Sequence, residues 1–459
     1  MPKHWIWLYL LLLFLCGLAF LILTPPFQAA DEPYHFFRAF QVSDGVWISE
    51  KKGTQTGGYL PSALIQEARV FGLRRREGNI QSMWNAWRQQ FAGSPRLDKI
   101  NLENKEFIGF RNIALYSPVP YIPQSLALLL GKLLKARSLT ALYLARFFNL
   151  LFSLGLIALS LFLVRNSARL SLLFFLLAAT PMAIFQSASV SADALTHALA
   201  IFIIALVMNM KFAWNPRRYL VFLCAALLLS LSKSVYVLIP AVMIPVLISM
   251  RAPGKVKISR WLELAGFTLV PFFAWSLVIK NIYTPVREGL GINPQLQMEF
   301  FIRNIPACLA AFWKNLSGDF AFYRTSFIGI LGWLDTNLPP HVVLYYFYAL
   351  FIVALIGLNS QDKRLMPFPE VATNLLIFVG TTLGMCVIEF LTFTPVGKFD
   401  LQGLQGRHFI PIAPLLFLSL PRVVKLQPAF YKIFNILIIL LWLYGMGRAT
   451  FALYHRYWI

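Results

Sequence analysis

The sequence predicts an all-α membrane protein with many transmembrane helices. Apolar residues make up 58% of the 459 residues and charged residues only 13%, and a soluble domain of this size does not need so many apolar residues. Apolar runs of about 20 residues recur along the chain, and about 20 helical residues cross the hydrocarbon core of a bilayer. Basic residues occupy the short loops between several of these runs. We therefore predict a single polytopic helical domain, residues 1–459, with about eleven transmembrane helices.

The first apolar run begins after Lys3 and resembles a signal peptide. It is long for the apolar region of a signal peptide, and Gln28-Ala29-Ala30 is a poor cleavage site. We interpret it as an uncleaved first span. The predicted spans are residues 5–24, 139–164, 170–186, 192–213, 219–236, 237–250, 261–280, 341–358, 370–394, 409–421 and 430–448.

The orientation of these spans depends on residues 121–134. This run has only about 14 residues, follows Pro118 and Pro120, and contains Lys132; runs of this length are often interfacial or re-entrant. If the segment does not cross, every short basic loop falls on one side, as the positive-inside rule requires. The protein is then predicted to lie in the bacterial cytoplasmic (inner) membrane, with a cytoplasmic N-terminus, the C-terminus outside, and residues 121–134 along the outer surface. The basic loops are Arg165/Arg169, Arg217/Arg218, Arg251/Lys255/Lys257/Arg260, Lys363/Arg364 and Arg422/Lys425.

Three outer loops follow from this topology: residues 25–138, 281–340 and 395–408. The first is long enough for several surface helices and carries Trp84, Trp87 and the basic cluster Arg74–Arg76. The net charge is +22, and a basic surface beside a bilayer favours anionic partners, either lipid headgroups or a phosphate-bearing substrate. Attraction to headgroups alone explains any single basic residue. Nucleic acid is an unsuitable partner because many basic residues lie at a membrane and outside the cytoplasm.

Adjacent carboxylates, Asp31 and Glu32, follow the first span. Pro33 comes next, and proline is tolerated in the first turn of a helix, so Asp31 or Glu32 is predicted to be an N-cap of a helix that continues to about Ala39. Asp31, His35 and Arg38 then share one helix face. A capped interfacial helix with a solvated face is the simpler interpretation.

Further ionisable residues lie within or beside predicted spans, where charges are costly and usually face a cavity. Each has an ordinary explanation: a helix cap, snorkelling to headgroups, a local ion pair or a hydrogen-bonded core histidine. The argument for function is collective, because the predicted topology puts them all at the outer boundary with Asp31. These residues are Asp193, His197, Lys233, Glu389, Arg407 and His408.

At these residues the chain resembles the bacterial membrane family called domain of unknown function 2142. The resemblance runs from near residue 24 to residue 414. The stretches that carry it are Asp31-Glu32-Pro33-x-His35-Phe36-x-Arg38-Ala39, Gly57-Gly58, Ser117-Pro118-x-Pro120-Tyr121-x-Pro123-Gln124, Tyr143-Leu144-Ala145-Arg146-Phe147-Phe148-Asn149, Ser189-Val190-Ser191-Ala192-Asp193, Gly332-Trp333-Leu334-Asp335-Thr336-x-Leu338-Pro339 and Gln405-Gly406-Arg407-His408-Phe409-x-Pro411.

That family is similar in plan to the GT-C glycosyltransferases, which take sugars from polyprenyl-phosphate carriers. The resemblance implies a GT-C-like domain with a large helical first outer loop, and it implies a lipid-phosphate sugar donor and a cell-surface glycan or lipid acceptor. It also implies an acidic pair after the first span, here Asp31 and Glu32, and a second acid, Asp193. The tyrosine often found after Gly-Arg in the family is His408 here, which leaves the hydrogen-bonding role at that position open.

Glycosyl transfer requires a base, a stabilised leaving phosphate and a site protected from water. Asp31 is the first choice for the base, with Glu32 or His35 as alternatives. Asp31 and Asp193 are also possible ligands of Mg²⁺ or Mn²⁺, with His35 beside them for Mn²⁺, although two acids and a histidine also suit a site without metal. The four cysteines form no CxxC pair.

The leaving phosphate requires a fixed positive group, which arginine provides in a bidentate manner. Arg407 is the first choice, and Arg38, Arg111 and Lys233 are alternatives; His35 and His408 complete the predicted substrate-binding set. A transporter or flippase is a competing function, but it requires charges along a path through the bilayer, whereas these cluster at one face. A polymerase or ligase of lipid-linked saccharides is the third possibility.

Overall fold

The computed structural model describes residues 3–77, 89, 91–98, 104–211, 214–285, 291–357 and 366–459. Trp84, Trp87 and the Lys363/Arg364 loop lie outside the described residues, as do the side chains of Arg74–Arg76. The described chain is mostly helical. Its helices are α1 (Lys3–Leu23), α2 (Glu32–Ser43), α3 (Ser62–Glu77), α4 (Arg111–Ala114), α5 (Ile122–Leu133), α6 (Ser138–Leu163), α7 (Ala168–Ala178), α8 (Pro181–Ser187), α9 (Ala192–Met210), α10 (Pro216–Ser232), α11 (Ile244–Ser249), α12 (Gly254–Ile282), α13 (Pro294–Arg303), α14 (Ile305–Gly318), α15 (Phe320–Ile328), α16 (Pro340–Leu355), α17 (Phe368–Phe393), α18 (Ala413–Ser419) and α19 (Pro428–Trp458).

Short strands complete the fold. A three-stranded antiparallel sheet has the order β1-β2-β3, and two smaller pairs join β4 to β5 and β6 to β7. The strands are β1 (Glu50–Lys52), β2 (Gln55–Pro61), β3 (Lys105–Gly109), β4 (Ile330–Leu331), β5 (Thr336–Asn337), β6 (Ile356–Gly357) and β7 (Val424–Lys425).

Six of the described helices, α1, α6, α9, α12, α17 and α19, are long and apolar enough to cross a membrane. The pair α7 and α8, bent by 64°, adds a seventh if the two form one span. The bend lies where Thr180 caps α8 and Pro181 occupies its first turn, because proline starts a helix well but cannot continue one. A multi-pass membrane protein is therefore confirmed. The other predicted spans coincide with shorter helices, so the count of eleven stays a prediction.

Helix α9 is the central helix. It is 94% buried over its most apolar window, and beyond its first two turns its sequence is apolar on nearly all sides, as expected for a helix surrounded by others. Ser191 caps its N-terminus by accepting a hydrogen bond from Asp193 N at 3.1 Å. The cap and the first turn therefore fix the position of the Asp193 backbone.

The region of residues 25–138 packs with α6 and the start of α9 in a second apolar core, built on aromatic side chains of α2 such as Phe36 and Phe40. It contains the three-stranded sheet besides its helices, whereas the sequence predicted helices alone. The Gly57-Gly58 pair permits this packing. A Cβ at Gly57 would come within 1.9 Å of Ile108 O, and one at Gly58 within 1.8 Å of the Gln41 side chain.

Helix α5 corresponds to the segment predicted to lie on the membrane surface. Its 12 residues reach about 18 Å, too short for a 30 Å hydrocarbon core. One face packs against α2 and α6, while Leu126, Leu129 and Leu133 are 44%, 43% and 80% exposed. A short helix with an exposed apolar face fits an interfacial position.

The helix bundle has two ends, named here by one residue each. At the Asp31 end, Trp458 Nε1 donates to Leu23 O at 2.8 Å, so the C-termini of α1 and α19 meet there. At the Arg169 end, Arg169 Nη1 donates to Ala354 O at 2.9 Å, which joins the start of α7 to the end of α16.

Candidate active site

Asp31 lies on a turn between α1 and α2. Its backbone is left-handed, with φ of 61°, a region that aspartate enters more readily than most residues. The predicted capping role is wrong in one respect: Asp31 occupies the N-cap position, but its side chain makes no capping hydrogen bond. The carboxylate is 44% exposed and lies 3.5 Å from the Arg407 guanidinium. The turn thus presents the acid to a cation and to open space.

Glu32, one residue later, is fully buried. Its two oxygens accept hydrogen bonds from Arg146 Nε at 2.8 Å and Arg146 Nη2 at 2.6 Å, and Val190 N donates to Oε1 at 3.0 Å. Arg146 also donates to Leu21 O, Thr24 O and Pro25 O. This buried pair ties the end of α1 to the turn before α9.

The hairpin formed by β4 and β5 packs against the Asp31 turn and supports it. Ala30 N donates to Gly332 O at 3.1 Å, and Trp333 Nε1 donates to Phe27 O at 3.0 Å. Gly332 has φ of 65°, and a Cβ there would lie 2.3 Å from Asp335 Oδ1. The Gly332-Trp333-Leu334-Asp335 stretch therefore holds the backbone beside Asp31 in place through hydrogen bonds.

Asp193 and Lys233 form the second ion pair of the site. Their side chains are 7% and 13% exposed, and Lys233 Nζ donates to Asp193 Oδ1. Lys233 follows the last residue of α10, and its ammonium lies 5.3 Å from the centre of the Tyr116 ring. This ion pair joins the end of α10 to the start of α9.

Arg407 enters the site from the turn before α18. A Cβ at Gly406 would lie 1.9 Å from Tyr323 O, so glycine is needed for this turn to approach α15. The neighbouring His408 Nδ1 is 4.0 Å from Glu389 Oε1, and Tyr236 OH donates to His408 O at 2.8 Å. Arg407 is only 8% exposed, and its guanidinium faces Asp31.

His35 lies one helical turn after Asp31. Its Nδ1 is 2.8 Å from Tyr121 OH, and its ring stacks on Tyr116 at 6.3 Å between centres. Burial lowers the pKa of His35 to about 4, although the nearby Asp31 and Asp193 carboxylates oppose that shift. The imidazole is therefore neutral at physiological pH and serves as a hydrogen-bonding group.

Two predicted substrate-binding arginines differ from the others. Arg38 is fully buried and donates to Tyr116 O, Val46 O and Trp47 O, so its guanidinium holds backbone carbonyls rather than facing the site. Arg111 lies in α4, and its side chain is outside the described part of the structure.

The residues that the structure brings together at the Asp31 end are Asp31, Asp193, Lys233, Arg407, His408 and His35, with Glu389 beside them. Within the described ranges, no group of three or more His, Cys, Asp or Glu side chains is arranged to hold a metal ion. Asp193 is instead paired with Lys233, and Asp31 with Arg407.

Residues 14–416 match the family described as "Predicted membrane protein (DUF2142)". The chain belongs to this family. The match covers most of the chain and every residue of the site. No curated protein and no protein of solved structure matches the chain significantly.

Several residues that hold the site of this DUF2142 protein were not singled out for a role from the sequence. Gln124 Nε2 donates to Asn149 Oδ1 at 2.8 Å and to Ser191 O at 3.0 Å, and Asn149 Nδ2 donates to Ser189 O at 2.7 Å. With Arg146, these amides fix the turn before Asp193. All of them lie in the stretches that carry the family resemblance, which was the available signal.

Proposed function

We propose that this DUF2142 protein is a membrane glycosyltransferase that moves a sugar from a polyprenyl-phosphate carrier to a glycan or lipid acceptor. The observation that carries the proposal is the Asp31–Arg407 pair at one end of the helix bundle, 3.5 Å apart. An exposed carboxylate is suited to take a proton, and the guanidinium beside it is suited to hold a phosphate.

The Asp31 end is proposed to face the outside of the cytoplasmic membrane. The basic residues Arg165, Arg169 and Arg422 lie together at the opposite end, around one cavity, and basic loops favour the cytoplasm. Eleven passes would bring the C-terminus to the Asp31 end, which agrees with the Trp458–Leu23 hydrogen bond. A phosphatase reporter fused after Ile459 is expected to be active outside. A cytoplasmic signal would contradict the topology.

In the proposed reaction an acceptor hydroxyl attacks the anomeric carbon of the sugar. The hydroxyl proton passes to the Asp31 carboxylate as the new carbon–oxygen bond forms. The bond between the anomeric carbon and the phosphate oxygen breaks, and its electron pair stays on the phosphate. The leaving polyprenyl phosphate therefore gains one negative charge, which Arg407 is placed to stabilise.

The resting ion pair couples donor binding to base activation in this proposal. In the resting site the Arg407 guanidinium is the partner of the Asp31 carboxylate, 3.5 Å away. A donor phosphate that binds Arg407 in a bidentate manner competes with Asp31 for that cation. Asp31 then loses its partner when the donor is present, so base and leaving-group clamp become available together.

Asp193 and Lys233 are proposed to position the substrate rather than to transfer protons. Their buried ion pair neutralises two charges, and separating them would cost more than separating the exposed Asp31 pair. The paired Glu32 is likewise assigned to the framework. The acids and bases of the candidate site lie together at the Asp31 end, which supports an enzyme over a transporter, since a transporter needs polar groups along a path through the bilayer.

The test compares lipid-linked sugars and surface glycans in cells that contain the wild-type protein, the Asp31→Asn variant or no protein. Loss of the protein is expected to leave a polyprenyl-phosphate sugar unconsumed, and Asp31→Asn is expected to reproduce that loss. Asp44→Asn is the matched control, since Asp44 pairs with Lys132 on the surface of the same region. Full activity of Asp31→Asn, or movement of an intact lipid-linked sugar without transfer, would contradict the proposal.

A further inference from the structure

A cavity of about 1050 Å³ opens at the Arg169 end of the bundle, at the opposite end from the candidate active site. Among the described residues, six basic residues and one acidic residue line it. Glu370, the acid, is paired with Lys211. The lining side chains described therefore carry a clear excess of positive charge. The basic residues are Arg165, Arg169, Lys211, Arg217, Arg218 and Arg422.

Helix dipoles do not determine the charge of this cavity. The N-termini of α7, α10 and α17 reach its wall, and so do the C-terminal ends of α6, α9 and α18. Partial charges of opposite sign at the two kinds of helix end offset each other. The guanidinium and ammonium groups therefore give the cavity its preference for anions.

The rest of the wall is apolar and continues onto the exposed surface of the bundle. Leu159 of α6 and Val221 of α10 both line the cavity, and they are 52% and 45% exposed. Both helices belong to predicted spans, so this apolar opening faces the region of the lipid chains. A cationic interior that is continuous with an apolar rim matches a molecule with an anionic head and a hydrocarbon tail.

We infer that this cavity binds the phosphate headgroup of an anionic phospholipid from the leaflet at the Arg169 end. A free phosphate ion has a similar charge but no hydrocarbon part to contact the apolar rim, and its volume is far below that of the cavity. Basic pockets between transmembrane helices are known to hold such headgroups. The bound lipid would join α6, α7, α9, α10 and α17, and it would do so without contact to the Asp31 site.

The experiment uses the purified full-length chain in bilayer discs of phosphatidylcholine, with and without phosphatidylglycerol, and native mass spectrometry to count retained lipids. The cavity variant is Arg217→Gln with Arg218→Gln. The control is Arg251→Gln with Lys257→Gln, which removes equal charge just before α12 and in its first turn, outside the cavity lining. The wild type and the control are expected to retain phosphatidylglycerol, and the cavity variant to bind it about tenfold or more weakly.

Several outcomes would overturn the inference. One is equal retention by all three proteins, and another is an equal loss in the control pair, which would indicate general attraction to the surface. Inorganic phosphate is the third arm: if it displaces the lipid at similar concentration, the site selects phosphate and not a phospholipid. Should the double variant fail to fold, Arg217→Gln alone is measured, with a smaller loss expected and with Arg251→Gln as its control.

Discussion

Asp31 and Glu32 are neighbours in the chain but lie in opposite surroundings. The Asp31 side chain is 44% exposed and has one cation at 3.5 Å. The Glu32 side chain is 0% exposed and accepts three hydrogen bonds, two from Arg146 and one from Val190 N. The two pairs, Asp31–Arg407 and Glu32–Arg146, use the same chemical groups in different settings.

This difference separates a framework pair from a reactive pair. A buried carboxylate with bidentate hydrogen bonds cannot exchange its partner without leaving a buried charge uncompensated. A half-exposed carboxylate at a longer distance loses little when its cation turns to another anion. The turn therefore uses Glu32 to fix its backbone and leaves Asp31 able to react.

The sharpest test of this comparison is Asp31→Asn. Asparagine tolerates the left-handed backbone at this position, so folding is expected to stay within about 0.5 kcal/mol of wild type. Sugar transfer is expected to fall by about 10²–10⁴-fold, since a general base contributes rates of that order. The measurements are thermal unfolding and transfer by the purified protein. Near-normal transfer would remove Asp31 from the chemistry.

Arg146→Met is expected to lower the stability of the protein, whereas Asp31→Asn is expected to lower its activity. Removing one partner of a buried pair costs about 3–5 kcal/mol of unfolding free energy, because Glu32 stays buried without its cation. Arg456→Met is the control: Arg456 pairs with Asp335 at 3.4 Å at the surface, and such pairs contribute about 0–1 kcal/mol. Thermal unfolding of both variants measures the difference. A similar small loss in each would show that the Glu32 pair is not the framework.

Arg407→Lys tests the geometry of the proposed phosphate clamp. Lysine keeps the charge but not the planar fork that binds two oxygens. The loss of one charge-assisted hydrogen bond costs about 1.5–3 kcal/mol, or roughly ten- to a hundredfold in rate. Transfer from a lipid-phosphate sugar at saturating acceptor gives the rate. Equal rates and equal donor affinity would mean that Arg407 only anchors its helix to headgroups.

The lengths of the apolar runs were enough to predict a multi-pass helical membrane protein, and the ionisable residues at their boundaries were enough to single out most of the charged cluster. Asp193, Lys233 and Arg407 each interrupt an apolar pattern at a span boundary, and the structure brings all three together with Asp31. These residues stood out in the sequence because a charge in or beside a membrane span is energetically costly and usually has a function. The role of each residue in the cluster stays a prediction.

The framework around these charges was not predictable from one sequence. Arg146 and Glu32 are 114 residues apart, and no local pattern relates a buried arginine in an apolar helix to a particular acid. The sheet was missed because its central strand β2, which contains Gly57 and Gly58, pairs with the distant β3, and hydrophobic alternation in β2 is weak. Helical spacing places Arg38 on the same face as Asp31, yet its guanidinium donates hydrogen bonds to backbone carbonyls outside the helix.

The smallest expected effect concerns protonation of His35. Burial lowers its pKa to about 4 in the folded protein, below the ordinary value near 6.5. The unfolded chain therefore binds a proton first as pH falls, so stability is full above about pH 6.5 and is lost toward pH 4. Between pH 7 and 5.5 the loss is on the order of 1 kcal/mol. In the His35→Gln variant the unfolding midpoint is expected to fall less steeply as the pH drops over this range. An unchanged slope would exclude His35 as the titrating group.

Glu67 provides a control of opposite sign within the same region. Burial raises its pKa to about 7, and the hydrogen bond from Ser138 opposes that shift only in part. Its folded pKa exceeds the ordinary value of 4.5, so its contribution is present below about pH 4.5 and is lost as pH rises through 7. Glu67→Gln should therefore remove a fall in stability toward pH 7, whereas His35→Gln should remove a fall toward pH 4. If both variants shift the pH profile in the same direction, at least one of the two side chains is not buried as the structure has it.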